Sequence, residues 1–468
     1  MHDVGTVPAR GAAFPDLKAL DEDMTNSPTS SPAPDARPGL FAQFIAATAL
    51  DTRLLGMAGA LLLIWTGFHV YGILVNGNGA FLIPRNLWNL SVQMCSIGVM
   101  ATGMVMVMVI ITRNIDLSVG SMLGFIGMVM GLLQVEWLPP LVGLGHPMIW
   151  IVTVFVGLCL GAILGAFNGF LIACAGIPSF IVTLGGLMGW RGFAFLTADG
   201  RNISPVDSTF TLLGGGPFGT VGSKGSWILG SIACLAVVFM IYSSRSNRRR
   251  HDFAVRPVWA EVLMAVLACA AIIGAVLVVD SYLWSIGIVQ KYAAANNITI
   301  PPEGFAIPYG FAYPVLILTA VAILMTILMT ILMTRTRFGG HVFAIGGNPE
   351  AAALSGIPVR WVTLKIFALI GMLAGLSAVI SSARLGSATN ALGQTDELYV
   401  IAAAVIGGTS LAGGVGTIYG AILGALVMES LRTGRVLIGF DTAVQNIVVG
   451  AVLVLAVYVD NLYRRRMK

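Results

Sequence analysis

Long apolar runs, each about the length of a membrane-crossing helix, follow one another along the chain from residue 54 onward. A bilayer core about 30 Å thick takes about 20 apolar residues of helix to cross, and it holds no water for unpaired backbone groups, so each run predicts a span. Twelve candidates lie near 54–74, 92–112, 117–135, 148–174, 179–198, 227–243, 258–283, 311–334, 361–381, 397–411, 413–431 and 442–460. Gly407, Gly408, Gly413, Gly414 and Gly416 interrupt the pattern between the tenth and eleventh. A broken or re-entrant helix is expected there, leaving ten to twelve crossings. The expected fold is an all-α integral membrane protein, a polytopic helical bundle over residues 51–468.

The polar positions complete this picture. Residues 1–50 lack apolar periodicity and carry Asp21, Glu22, Asp23, Pro28, Pro32, Pro34 and Pro38, which predicts a disordered N-terminal tail. No short apolar run stands behind a basic end near the start, so no cleavable signal is expected and the first span serves as targeting signal and anchor. Basic residues cluster at Arg245, Arg248, Arg249, Arg250 and Arg256, at Arg335 and Arg337, and at Arg464, Arg465, Arg466 and Lys468. Twelve spans put all three clusters on the side of the N-terminus, which the positive-inside rule makes the cytoplasm. Residues 243–257 then form a basic cytoplasmic loop and 335–360 a second one.

Glycines four apart share a helix face and let two backbones approach. Gly157, Gly161, Gly165 and Gly169 form such a stripe, as do Gly120 with Gly124, Gly127 with Gly131, and Gly416 with Gly420 and Gly424, so these helices are expected at the bundle centre. The hexapeptide GAILGA occurs at 161–166 and again at 420–425, in spans expected to run in opposite directions. A triple ILMT stacks Thr326, Thr330 and Thr334 on one face, where hydroxyls can bond carbonyls one turn back.

Composition narrows the function. Hydrophobic residues make up 57% of the chain and charged residues 10%, with a mean hydropathy of +0.89, which excludes a soluble globular domain of ordinary make-up. A net charge of +5 with its cations in loops excludes a nucleic-acid binder. The five cysteines lie in apolar stretches without a C-x-x-C pair and read as small hydrophobes. No phosphate-binding loop, zinc-protease motif or nucleophile elbow is present, and five scattered histidines offer no metal site. Neither catalysis nor a cofactor is expected; if ATP drives the protein, another subunit binds it.

Polar groups in or beside spans are costly and carry the functional expectation. Asp116 is placed to cap the third span, and Asn168 to bond another helix or a substrate hydroxyl. Arg191 in the fifth span and Glu397 at the start of the tenth are expected to pair or to gate a path. Asp280 and Glu429 fall near expected helix ends, in water. Two stretches, one with Ser179, Phe180 and Thr183 and the other with Thr389, Asn390 and Gln394, mix hydroxyls, amides and an aromatic ring, as a path for a hydroxyl-rich solute would.

Four strings, Ile115–Gly124, Ile177–Gly192, Thr336–Ile357 and Ile401–Ala425, resemble the permease subunits of bacterial monosaccharide ABC importers, the ribose, galactose, arabinose and xylose group, and within it the xylose branch most closely. The resemblance implies a permease of the type II importer plan in the inner membrane, with both termini cytoplasmic. It also implies a second permease copy, cytoplasmic ATPase subunits, a periplasmic sugar-binding protein and no nucleic acid as partners. The loop at Thr336 to Ile357 would be the coupling element, through Gly346, Gly347, Asn348, Glu350, Ala351, Leu354 and Gly356. Local chemistry agrees, because Gly346 to Asn348 favour a turn and Pro349 suits the first position of a short helix. The chain departs from the family pattern at Phe338, Gly339 and Gly340 for FGR, at Glu397, Leu398 and Tyr399 for ELD, and at Thr433 and Gly434 for NG. Those departures bear on which sugar is carried.

Overall fold

A computed structural model describes residues 52–110, 114–251, 253, 255–298, 306–335, 358–411, 413 and 415–439, with isolated positions 441, 443, 447, 450, 451, 454 and 458. All of these belong to one compact unit, Thr48–Lys468. The expected tail at 1–50, the coupling loop at 336–357 and nearly all of the twelfth expected span lie outside the described residues.

Among the described residues twelve helices of ten residues or more carry the fold: α1 Thr52–Asn76, α2 Pro84–Ile110, α3 Val119–Leu132, α4 Pro147–Ala173, α5 Ser179–Thr197, α6 Gly222–Arg250, α7 Val258–Asp280, α8 Ile286–Ala295, α9 Tyr313–Arg335, α10 Val359–Leu385, α11 Asp396–Ile406 and α12 Ile418–Ile438. The chain forms no strand among the described residues beyond isolated β-bridges. Among the described residues eight helical segments are long and apolar enough to cross a membrane, namely α1, α2, α3 together with its continuation to Val142, α4 to α7, and α10. Three further expected spans are helical but fall short of that standard for separate reasons. In α9 the apolar run is Tyr313–Leu328. In α12 the charges of Glu429, Arg432 and Arg435 lower the hydropathy. With 11 residues, α11 is about 16 Å long, half a bilayer core, so the expected break near Gly407 is real. The polypeptide turns there through a Ser410 to Val415 backbone bond of 2.8 Å and re-forms as α12, whose first turn is capped by the Thr417 hydroxyl.

Glycine sets the packing of the centre. Gly157, Gly161, Gly165 and Gly169 of α4 interlock with Phe367, Gly371 and Gly375 of α10, and a Cβ at Gly161, Gly165, Gly371 or Gly375 would be driven into the other helix's backbone. In α12, Gly420 and Gly424 meet Gly407 and Ala403 of α11 in the same way, so both copies of GAILGA are close-approach surfaces. The core gathers on α2, α3, α10 and α11, with Met100, Met104, Met122, Leu123 and Phe367 fully enclosed. Serines tie α2 to α10: Ser377 donates to the Ser96 carbonyl at 2.7 Å, and Ser381 shares a hydrogen bond with the Ser96 hydroxyl at 2.9 Å. As expected, Thr326 and Thr330 of α9 donate one turn back, at 2.7 Å each.

The basic segment differs from expectation. Helix α6 continues through Arg250, so most of the loop expected at 243–257 is helix, because Arg245 finds a carboxylate, Glu261, on α7 and also donates to the Arg256 carbonyl. At the opposite end of this hairpin residues 281–298 and 306–312 build an aromatic cap. Tyr282 and Tyr309 stack at 4.3 Å with Trp88 against them, and burial followed by the neighbouring Tyr282 pushes the Tyr309 phenol up to about 12.

Candidate functional site

Between the N-terminal part of α2, the C-terminal end of α10, the 386–396 segment and α12 lies a cavity of about 260 Å³. Neutral hydrogen-bonding groups, Gln93, Ser96, Ser381, Thr389 and Gln394, line it together with Arg384, Asp396 and Arg432. A second cavity of about 160 Å³, lined by Asn89 and Gly214 to Gly216, borders the first along Val92, Gln93 and Arg384. Arg432 lies 3.8 Å from Asp396 and 3.8 Å from Glu429, and its guanidinium sits 5.6 Å from the centroid of the Tyr399 ring, a cation–π contact. Tyr399, the departure from the ELD pattern, thus supports a cavity-lining arginine from beneath. Glu429 is 1% exposed and ion-paired, which corrects its expected place in water: α12 continues past it to Ile438 and turns it into the bundle. Asp280 is partly buried at the end of α7, within 3.4 Å of the Trp227 indole nitrogen.

The 386–396 segment is held open by glycine and arginine. Bare faces at Gly120 and Gly124 of α3 let Leu392, Gly393 and Glu397 approach, and Gly127 and Gly131 receive Leu392 and Ala388. From α5, Arg191 reaches across and donates to the carbonyls of Asn390 at 2.9 Å and Leu392 at 2.7 Å. The segment is paired on its far side to Ile203 by two backbone bonds of 2.9 Å. No ion pair joins Arg191 to Glu397: the guanidinium is occupied by backbone, and Oε2 of Glu397 is enclosed against α3 without a hydrogen bond among the described residues. Thr395 precedes α11 at φ 66°, a left-handed conformation rare for a β-branched residue.

A separate buried chain links α4 to the turn before α3. The Asn168 amide of α4 donates to Ser118 Oγ at 2.9 Å, and that hydroxyl donates to Asp116 Oδ1 at 2.6 Å. Asp116 also accepts the Ser118 backbone N–H at 2.8 Å, so it organises the turn before α3 and does not cap the helix. All three residues are at most 1% exposed. Thr183 of α5 is enclosed beside this chain, with its hydroxyl 3.4 Å from the Ile115 carbonyl, and Ser179 is buried at the start of α5.

The sequence candidates therefore fall into three groups. Thr389 lines the larger cavity; Arg191, Asn390 and Glu397 build the wall behind it; Asp116 and Asn168 belong to the buried chain, with Thr183 beside it and Ser179 buried at the start of the same helix as Thr183. Phe180 joins none of them, being 61% exposed on the outer face of α5. Sequence reasoning passed over Gln93, Ser96, Ser381, Arg384, Asp396 and Arg432. A usable signal existed, since Ser377, Ser381 and Arg384 recur at helical spacing in the second half of a mostly apolar span. Among the described residues no group of three or more His, Cys, Asp or Glu could hold a metal ion.

Comparison with known proteins fits this geometry. Over 390 residues the chain is 36% identical to the xylose transport system permease protein XylH of Haemophilus influenzae, covering 83% of this chain and 92% of that one. It is 31% identical over 381 residues to the ribose import permease protein RbsC of Escherichia coli K12, covering 81% and 87%. It is 32% identical over 262 residues to the galactose/methyl galactoside import permease protein MglC of Salmonella typhimurium, covering 51% and 78%. No solved structure matched the chain. The sequence profile described as branched-chain amino acid transport system / permease component spans residues 86–457. With eight membrane-length helical segments among the described residues and a profile match over most of its length, the chain belongs to this family of multi-pass transport permeases.

Proposed function

We propose that the chain is the permease subunit of an ATP-driven importer that moves a monosaccharide, xylose or a related sugar, across the inner membrane. The observation that carries this reading is the cavity at the end of α10, where neutral amides and hydroxyls outnumber charges, the lining a hydroxyl-rich neutral solute requires. Support for the substrate class comes from the relatives named for xylose, ribose and galactose transport. Support for the direction comes from the 27 residues of α10, about 40 Å of helix, which separate the cavity from the end adjoining 336–357. On this reading the cavity faces the periplasm and receives sugar from a binding protein. The segment with Gly346, Gly347, Asn348, Glu350, Ala351, Leu354 and Gly356 faces the cytoplasm and takes up the motion of docked ATPases. Two permease copies form the complex, both termini of each are cytoplasmic, and alternating access moves the sugar without bond chemistry.

A rival reading, a transporter driven by an ion gradient, draws on Asp116 and Glu397, each buried with one carboxylate oxygen lacking a hydrogen bond among the described residues. Reconstitution separates the two. Radiolabelled xylose uptake into vesicles that requires ATP, the ATPase and the binding protein supports the importer. Uptake by the permease alone under a proton or sodium gradient overturns it.

A further inference from the structure

Of the charged residues that line the two cavities, Arg384 is the one common to both. It ends the polar stripe of α10, seven residues after Ser377 and three after Ser381, and it lines both cavities where they border one another. Its neighbours are committed elsewhere. Arg432 is engaged by Asp396 and Glu429, whose side chains are only 13% and 2% exposed, whereas Arg384 is an exposed residue whose guanidinium makes no ion pair or hydrogen bond among the described residues. In the larger cavity Arg432, 42% exposed, and Asp396 stand beside it, whereas in the smaller cavity, which borders it, the Arg384 guanidinium is the one charge among the lining residues.

We infer that Arg384 is an electrostatic barrier that keeps protons and metal cations out of the passage while a neutral polyol goes through. The inference rests on reading the cavity as part of the sugar path. A positive charge between low-dielectric walls has its field focused along the channel and repels any cation entering it. A neutral solute has no net charge for that field to act on, and the guanidinium can still offer it hydrogen bonds. Because arginine stays protonated at every physiological pH, the barrier does not lapse when the medium turns acidic. Lysine keeps the charge without the planar fork, whereas glutamine keeps hydrogen-bonding capacity without the charge, so the two substitutions separate charge from contact.

The test uses the complete transporter in vesicles holding a trapped pH-sensitive dye, under an imposed pH gradient, with ATP and sugar-loaded binding protein present so that the passage cycles. Wild-type and Arg384→Lys vesicles are expected to hold the gradient, and Arg384→Gln vesicles to lose it about tenfold faster. Arg384→Cys vesicles should leak as well and tighten after reaction with a thiol reagent bearing a trimethylammonium group, but not with a neutral reagent of similar size; treated wild type controls for the native cysteines. Arg384→Gln or Arg384→Cys complexes that assemble by size-exclusion chromatography and hold the gradient as wild type does overturn the inference. Should the glutamine variant not assemble, the cysteine variant and its two reagents decide. Sugar uptake in the same vesicles keeps the two failures distinct: wild-type vesicles that take up no sugar count against the transport reading, and tight variant vesicles count against the barrier.

Discussion

Helices α2 and α7 are both apolar and both long enough to cross a membrane, yet their places in the bundle are opposite. The most apolar stretch of α2 has a mean hydropathy of 1.9 and is 89% buried inside the protein, while that of α7 reaches 3.0 and is 11% buried. Water would reverse that order. In lipid, an apolar side chain gains little by trading hydrocarbon for protein, so association follows close packing and hydrogen bonds. Helix α2 has both: Gly103 admits Ile370 and Leu373 of α10, and Ser96 accepts from two serines. The α6–α7 hairpin has Gly230 against Val276 and the Arg245–Glu261 clasp near one end, and otherwise faces outward.

The sharpest way to break this contrast is to put the same side chain in both regions. Gly165→Leu sets a bulky group where even a Cβ meets the Phe367 backbone, so α4 and α10 must separate. A loss of about 3 kcal/mol or more is expected, seen as loss of the monodisperse detergent-solubilised protein. Gly274→Leu on α7 has open space around it and should cost less than about 0.5 kcal/mol. Equal losses at the two sites would show that glycine packing does not distinguish the centre from the rim.

Arg191→Ala comes next. It removes two charge-assisted bonds that hold the Asn390 and Leu392 carbonyls, each worth about 1.5–3 kcal/mol. Sugar uptake should fall at least about tenfold, with Arg191→Lys recovering part of it, because one ammonium can serve one carbonyl well but not a fork of two. Unchanged uptake in Arg191→Ala would mean that the 386–396 segment holds its place without α5.

This residue also shows where the sequence stopped being legible. The spans, the glycine stripes and the break near Gly407 could be read because each depends on local pattern. That Arg191 serves backbone carbonyls some 200 residues later could not, since a carbonyl leaves no mark on the sequence. Asp116 invited a helix cap and Glu397 an ionic partner, yet the groups nearest them are a serine and a glycine face. Residues such as Gln93, Arg384 and Arg432 were hidden because a helix presents each to one side only, and hydropathy averaged over a span erases sides.

In the outer region, Arg245→Ala should cost about 1–2 kcal/mol, between the values for exposed and enclosed ion pairs, since both side chains are partly covered. Its effect should stay local. Faster cleavage by an added protease in the turn after Arg250, with uptake within twofold of wild type, is the expected outcome; a collapse of uptake would tie the hairpin to the core far more closely than its packing implies.

The smallest effect is expected at Thr395, where the wall of the cavity turns into α11. A β-branched residue at φ 66° is held in a conformation that L residues avoid by about 1–2 kcal/mol, and its hydroxyl lies 2.6 Å from the carbonyl of Gln394 without capping the helix that follows. Thr395→Gly removes that strain but gives back about 0.5–1 kcal/mol through the greater freedom of glycine in the unfolded chain, so the net gain should be under about 1 kcal/mol. Thr395→Asn relieves part of the strain without that loss and should match or exceed it. A thermal scan of the detergent-solubilised protein measures both. If either variant is destabilised by more than about 1 kcal/mol, the left-handed turn is fixed by contacts of the threonine itself, and the segment belongs with the tightly packed centre.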